Sequence, residues 1–387
     1  MCAKSWRCNC KRELVSGTGC EQIIGTVQER AMTRKPRLCF LGPMIGRHKG
    51  HVTTQGQILA ELFVGAGYSV VSASASLNRY KRLADIMYTL FRKRRSIELV
   101  CADVYGGPSF VVETSIALLS RVLRLPLIMV LRGGNLPNFF ARFPRWSQFV
   151  LRQADVLVAP SPYLIEALRQ HGFQVRLIPN VINLDNYPYT RRTSARPYLI
   201  WMRSFHEIYN PEMAIEVVAA LRPSFPDVKL IMAGQDKGLQ ADVQRLAQRL
   251  QVDNRVEFPG FLDPNQKARL FAKADIFINT SRIDNMPVAI VEACAMGLPV
   301  VSTAVGGIPY LVTHGETALL VPPEDVQAMA EAVVCLLHDP DLVAKLSESG
   351  RRLAERSSWE QVRPQWEQLF AEVMSRRNYL DSRGLSS

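Results

Sequence analysis

The tightest constraint on this chain is a rhythm that occurs twice. Short apolar runs alternate with helix-length amphipathic stretches, first from Pro36 and again from Tyr198. In the first series, residues 37–41, 69–73, 99–102, 126–131, 156–159 and 175–178 read as strands; in the second, 198–202, 229–232, 256–259, 276–279 and 299–302 do. Strands separated by helix-length patterns form βαβ units and a parallel sheet. Between the two series, residues 187–197 (Tyr-Pro-Tyr-Thr-Arg-Arg-Thr-Ser-Ala-Arg-Pro) show neither period and read as a linker. The expectation is two Rossmann-like, doubly wound α/β domains, residues 36–190 and 197–357, followed by a helix over 358–376 that packs back across the hinge. Ligands of such sheets bind at the carboxyl ends of the strands, so the cleft between the domains is the expected active site.

Bulk properties fit that picture. The 387 residues, 48% of them hydrophobic, suffice for two packed domains and are too many for one ordinary domain. Charge is uneven. Residues 1–195 hold 27 Lys/Arg and 11 Asp/Glu, a net of +16; the totals of 47 and 35 then leave 20 and 24, a net of −4, for the rest. A basic half suits an anionic partner, and it also suits solubility alone. Four of the eight cysteines (Cys2, Cys8, Cys10, Cys20) lie in a segment without apolar period, and residues 1–35 read as a disordered leader or an upstream extension. Cys39, Cys101 and Cys335 sit in apolar runs and read as small buried hydrophobes, which favours a reducing compartment. No stretch approaches ~18 uninterrupted apolar residues, as a membrane span requires. A cytoplasmic protein is expected, with the inner membrane face as a candidate surface.

The most informative segment is 276–310. A strand ends at Asn279, a polar loop holds Asp284, and a helix begins near Pro287, carries Glu292 and is closed by Gly297. Seven residues separate the two acids. Asp284 falls on the loop at the helix N-terminus, in the cleft, and Glu292 about one and a half turns into the helix, so the two reach different parts of one ligand. Carboxylates accept hydrogen bonds from sugar hydroxyls, an acid on a ribose diol is an established device, and a helix N-terminus favours phosphate. The alternative is a helix-capping Asp beside a solvated Glu.

The segment resembles the donor signature of the retaining GT-B glycosyltransferases of family 4, or group 1: an acid, seven residues, Glu-Ala, then a small residue, Gly and Pro-Val-Val. This chain is similar to the subset with Asp-Asn-Leu/Met-Pro, and the resemblance spans about residues 36–375. It implies the GT-B fold, Glu292 on the ribose hydroxyls and Asp284 against the transferred sugar. Arg203, following the strand 198–202, would neutralise a diphosphate. The family's Lys about five residues later is replaced by Ile208; Lys237 or Arg282 are candidate substitutes. Gly50, before His51, takes the place of the first glycine of the family's Gly-Gly pair, at an expected helix start. Gly306 and Gly307 form a second backbone loop facing the cleft. In the run Leu-Arg-Gly-Gly-Asn at 131–135, Arg132 stands where many relatives carry His; with Asn135 it would meet an anionic acceptor or phosphate, since a guanidinium cannot serve as a base.

The expected co-substrate is therefore a nucleotide-diphosphate sugar, with no further cofactor and no metal, and the acceptor a glycan or lipid-linked intermediate of cell-envelope polysaccharide. No Gly-x-Gly-x-x-Gly follows the first strand, and no HExxH or Gly-x-Ser-x-Gly occurs. Two rivals remain: a nucleotide-sugar epimerase on the same fold, using His48, His51 or His206, and a non-catalytic subunit. On the basic half, residues 80–95 place Leu83, Ile86, Met87, Leu90 and Phe91 on one helix face, ending in Arg92, Lys93, Arg94 and Arg95. That is either a core helix whose basic end complements its dipole or a face for an anionic membrane. Residues 138–146 interleave aromatics with arginine, which suits a bilayer interface or a lipid-linked acceptor better than nucleic acid, and no nucleic-acid partner is expected.

Overall fold

Wherever an apolar, β-branched run is bounded by turn residues, a strand forms. The computed structural model describes residues 34–382 except Arg47 and Lys49. Cys2, Cys8, Cys10 and Cys20 and all but two residues of the expected leader lie outside that range. The N-terminal half runs β1 (Leu38–Leu41), α1 (Gln55–Gly65), β2 (Val70–Ala73), α2 (Arg79–Lys93), β3 (Leu99–Val104), α3 (Phe110–Val122), β4 (Leu127–Leu131), α4 (Leu136–Arg142), α5 (Pro144–Leu151), β5 (Val156–Ala159), α6 (Pro162–Arg169) and β6 (Val175–Leu177). Its strands pair in parallel in the order β2-β1-β3-β4-β5-β6.

The C-terminal half runs β7 (Tyr198–Met202), α7 (Pro211–Leu221), β8 (Lys229–Ala233), α8 (Gln240–Arg249), β9 (Val256–Gly260), α9 (Pro264–Lys273), β10 (Ile276–Asn279), α10 (Val288–Ala295), β11 (Val300–Thr303), α11 (Ile308–Leu311), β12 (Leu319–Val321), α12 (Val326–His338), α13 (Pro340–Glu355) and α14 (Trp359–Ser382). Again the pairing is parallel, in the order β12-β11-β10-β7-β8-β9. Numbered from β7, this is the 3-2-1-4-5-6 order of a Rossmann sheet, and the order reverses between β7 and β10. In the N-terminal sheet the corresponding reversal lies between β1 and β3. These two switch points decide where ligands can enter.

Expected and observed strands agree closely, apart from β12, whose three residues Leu-Leu-Val are too few to show a period. Residues 187–197 pack more firmly than a free linker: the Arg192 amide donates to Ser347 Oγ (3.0 Å), and a Cβ on Gly297 would lie 2.3 Å from the Thr190 carbonyl oxygen. Gly297 also takes φ +79°, the left-handed turn that ends α10.

The last helix, α14, leaves the C-terminal half. The Ile182 amide donates to the Ser357 carbonyl (2.8 Å), and Val362, Trp366, Leu369, Phe370 and Val373 bury against Leu38, Phe40 and Phe63 of the N-terminal sheet and α1. Five such side chains contribute on the order of 10 kcal/mol of burial as an upper estimate. Tyr68 on the far side donates to Glu367 (3.0 Å).

Candidate active site

Buried polar residues just beyond β10 fix the loop that carries Asp284. Asn279 donates to Ser302 Oγ (3.0 Å), Ser281 to Asn279 Oδ1 (3.0 Å) and Thr303 to the Ser281 carbonyl (2.6 Å). Thr280 receives the Trp201 indole N–H (2.9 Å) and donates to the Tyr209 and Asn210 carbonyls. Every group here that leaves water finds a partner, so a polar loop stays buried and rigid.

On this frame, at the β7/β10 switch point, Arg203 Nη2 forms an ion pair with Asp284 Oδ2. Both side chains are nearly buried, 11% and 12% exposed. The guanidinium stacks on the Tyr209 ring at 4.1 Å from its centroid, and its Nε has no hydrogen-bond partner. Asp284 also receives its neighbour's amide, from Asn285 (2.9 Å). The glycine loop closes over the same backbone: the Gly307 amide donates to the Asp284 carbonyl (3.0 Å), and a Cβ on Gly306, at φ +53°, would stand 2.1 Å from that oxygen. Only glycine permits this approach.

Helix α10 starts at Val288 with Pro287 as its cap residue and is buried all round; Glu292 is its only charged residue, 7% exposed. Such a charge requires partners. Lys267 of α9 reaches both oxygens (2.8 and 2.9 Å), and the Tyr187 hydroxyl donates at 2.6 Å. Burial, then the adjacent carboxylate, hold the Tyr187 phenol protonated. Neither Lys267 nor Tyr187 stood out in the sequence, since they lie 25 and 105 residues from Glu292.

Other expected residues fall elsewhere. Arg282 donates to the Glu207 carbonyl (2.7 Å) and pairs with Glu324 (2.9 Å) on the rim, while Lys237 is exposed on the loop after β8. That loop is tied to the segment after Arg203 by the Phe205 amide, which donates to the Gln235 carbonyl (2.8 Å).

Two expectations need correction. Gly50 is not at a helix start: α1 begins at Gln55, because the Thr54 side chain accepts the Gln57 amide and caps it there. Arg132 is not open to an anion: its side chain is 5% exposed, with Nε on Asp103 (3.0 Å) and Nη1 on Asn180 (2.7 Å). Asn135 is exposed and receives Asn138 (2.7 Å). The aromatics of 138–146 pack mainly against each other and α3, with Phe143 left 39% exposed. Phe139, Phe143 and Trp146 pack with Phe110 of α3 in one cluster, and Trp146 donates to Thr114 (3.0 Å).

The two halves meet at the Asp284 loop. Gly134 lies so close that an added Cβ would be 3.0 Å from the Asp284 carbonyl carbon. Asn285 receives the Ser161 hydroxyl and donates to the Arg132 carbonyl (3.4 Å), and Asn180 donates to the Met286 carbonyl (3.2 Å).

Residues 190–353 match the model of glycosyl transferases group 1. That match lies in the C-terminal half and includes Arg203, Asp284 and Glu292. Among curated relatives, the chain is 28% identical over 299 residues to an exopolysaccharide phosphotransferase of Streptomyces coelicolor, covering 74% of this chain and 30% of that one. It is 26% identical over 240 residues to N-acetyl-alpha-D-glucosaminyl L-malate synthase of Bacillus anthracis, covering 59% and 62%. It thus spans less than two thirds of the length of these relatives. Among solved structures, sucrose-phosphate synthase from Thermosynechococcus elongatus superposes with a TM-score of 0.73 at 20% identity, over 88% of this chain and all of that one. The Anabaena protein HepE, solved with UDP and glucose, gives 0.68 at 20% identity over 88% and 99%. The fold is GT-B.

Proposed function

We propose that the chain transfers a hexosyl group from a nucleotide-diphosphate sugar to a glycan or lipid-linked acceptor of cell-envelope polysaccharide synthesis, with retention at the anomeric carbon. One observation carries this reading. Asp284 and Arg203, 81 residues apart, meet at the switch point of the C-terminal sheet under the Gly306-Gly307 backbone, with Glu292 in the helix that follows. A carboxylate, a cation, close backbone and a second carboxylate are what a sugar, a diphosphate and a ribose need. In this reading the C-terminal half holds the donor. Asp284 contacts the transferred sugar, Arg203 takes the diphosphate through the donors that Asp284 leaves open, and Glu292 accepts the ribose hydroxyls at the lone pairs that Lys267 and Tyr187 leave free. Lys237, on the loop tied to the segment after Arg203, and Arg282 on the rim are the cations nearest to replacing the family's missing Lys. The co-crystallised UDP and glucose of HepE support a uridine donor for a relative of this fold. The N-terminal half holds the acceptor, with Arg132 serving as an internal brace.

Thermal-shift screening against UDP-, GDP-, ADP- and TDP-sugars tests the donor: a true donor at 100 Kd adds roughly 2.7 kcal/mol of stability. Asp284→Asn should then bind that donor and fail to transfer, and the anomeric configuration of the wild-type product reports retention. Full activity in Asp284→Asn defeats the assignment.

We further propose contact with an anionic membrane surface. Arg92, Lys93, Arg94 and Arg95 are all exposed at the end of α2, next to Phe91 and one turn from Tyr88, which are 58% and 65% exposed; Tyr80, 73% exposed, lies at the start of the same helix. Only Ile86 and Leu90 of that helix are buried, so most of its surface faces outward. Cations interleaved with exposed aromatics suit a headgroup region.

A further inference from the structure

The N-terminal sheet has its own switch point, between β1 and β3, and a cavity of about 260 Å³ opens there. Its walls include Pro43 after β1, Tyr105 after β3, Arg82 of α2, and Val112, Glu113 and Ile116 of α3. Glu113 is 3% exposed; its Oε1 receives the Tyr105 amide (2.8 Å) and the Ser109 hydroxyl (3.3 Å), while its Oε2 has no hydrogen-bond partner. A buried carboxylate oxygen facing nothing costs about 1–3 kcal/mol, and such groups in native structures have a reason to persist. Asp103, the second acid of the wall, is bound through Oδ1 by Arg132, and its Oδ2 also has no hydrogen-bond partner. The cavity also adjoins the site described above. A Cβ on Gly133 would stand 2.3 Å from the Tyr105 carbonyl, and the next residue, Gly134, packs on Asp284.

We propose that this cavity receives the accepting end of the second substrate, and that this end is a neutral, hydroxyl-bearing ring the size of one monosaccharide, read by Glu113. The inference rests on the transferase reading and adds the chemical class of the acceptor. The volume is room for a six-membered sugar ring. Pro43, Val112 and Ile116 give the C–H face of such a ring an apolar wall. Glu113 Oε2 hydrogen-bonds a ring hydroxyl, donating to it as the neutral acid and accepting from it once ionised. Arg82, anchored by Nε on the Ser76 carbonyl (3.0 Å), stands on the donor side. An anionic group is disfavoured here: Arg82 is the one cation among the lining residues, Arg132 is bound to Asp103, and a phosphate or carboxylate would face two acids.

Methyl-resolved NMR tests the proposal on the full chain without nucleotide. The probes are methyl α-D-glucopyranoside, methyl α-D-mannopyranoside, methyl β-D-galactopyranoside and, as the anionic control, glucose 6-phosphate. At least one neutral glycoside should shift the Val112 and Ile116 methyl signals saturably, with glucose 6-phosphate at least tenfold weaker. Glu113→Ala should weaken binding at least tenfold. Val112→Phe, which fills the cavity without touching a hydrogen bond, should abolish it and covers the case in which Glu113→Ala does not fold. Shifts absent with all three glycosides, or tighter binding of the phosphate, overturn the proposal. Nucleotide binding is read separately by thermal shift. Failure there with the glycoside shifts intact removes the transferase reading and leaves the sugar pocket; nucleotide binding with no glycoside shift does the reverse.

Discussion

Glu113 makes a prediction that needs no substrate. Burial is the largest influence on its carboxyl and raises it; the amides of Tyr105 and Gly106 and the Ser109 hydroxyl oppose this, and the result is about 7 against an ordinary 4.5. The neutral acid is therefore the form the fold prefers. Below pH ~4.5 the group is neutral both folded and unfolded, and nothing is lost. As pH rises towards 7 the unfolded chain ionises first, and the folded state loses stability until its own carboxyl ionises. At about 1.4 kcal/mol per pH unit, the loss totals about 3 kcal/mol and is complete a little above pH 7. Glu113→Gln keeps the shape of the neutral acid at every pH: its Oε1 can still receive Tyr105 and Ser109. The variant and the parent should have equal stability near pH 4.5, and the variant should be the more stable by about 3 kcal/mol at pH 8. Urea unfolding of both proteins at pH 4.5, 6, 7 and 8 measures the difference. An offset that stays constant with pH, or one that shrinks as pH rises, refutes the reasoning.

Four further outcomes are expected. Gly306→Ala, whose Cβ would meet the Asp284 carbonyl at 2.1 Å with φ at +53°, should lower kcat by about a hundredfold, by displacing the loop on the scale of an ångström, and should cost about 1–3 kcal/mol in urea unfolding. Gly134→Ala presses on the same loop from the other half, with 3.0 Å to the Asp284 carbonyl carbon; it should lower kcat roughly tenfold and leave nucleotide affinity, measured by calorimetry, unchanged. Glu292→Gln leaves Lys267 without its counter-charge and removes the ribose acceptor, so nucleotide Kd should rise by about one to two orders of magnitude while unfolding remains cooperative. Replacing Arg92, Lys93, Arg94 and Arg95 by Gln should weaken co-sedimentation with anionic vesicles by roughly two to three orders of magnitude at low salt, at about 1 kcal/mol per charge, with activity on a soluble acceptor unchanged; equal partitioning of both proteins removes the membrane reading.

What could be read from the sequence was local. Strand β10, the Asp284 loop, Pro287, Glu292 and Gly297 lie within 22 consecutive residues, and their order alone dictates strand, loop, helix and stop. The start of α1 was equally local and was misplaced: Thr54-x-x-Gln57 is a capping signature, and it outweighs the analogy that put Gly50 at the helix start. Arg132 shows the opposite case. Nothing near it in the chain announces that Asp103, 29 residues away, neutralises it, and a cation after a strand reads the same whether it is a ligand or a brace. Glu113 was invisible for a related reason. It sits in the first turn of an ordinary-looking helix, and only the folded sheet shows that one of its oxygens is buried without a partner.

In the proposed reaction the two halves have to bring two substrates to one point, and the contact that joins them is the loop that bears Asp284. Asn285 and Met286, the next two residues, are held by Ser161, Arg132 and Asn180 of the N-terminal half. Arg132 acts twice: its carbonyl receives Asn285, and its guanidinium holds Asp103 in the wall of the cavity. A shift of that residue therefore moves the proposed sugar-accepting wall and the Asp284 loop together. This gives a physical reason for a guanidinium at position 132. A side chain that must bond Asp103 and Asn180 at once, in a dry site, needs several fixed donors and a charge that burial does not remove, and arginine alone supplies both.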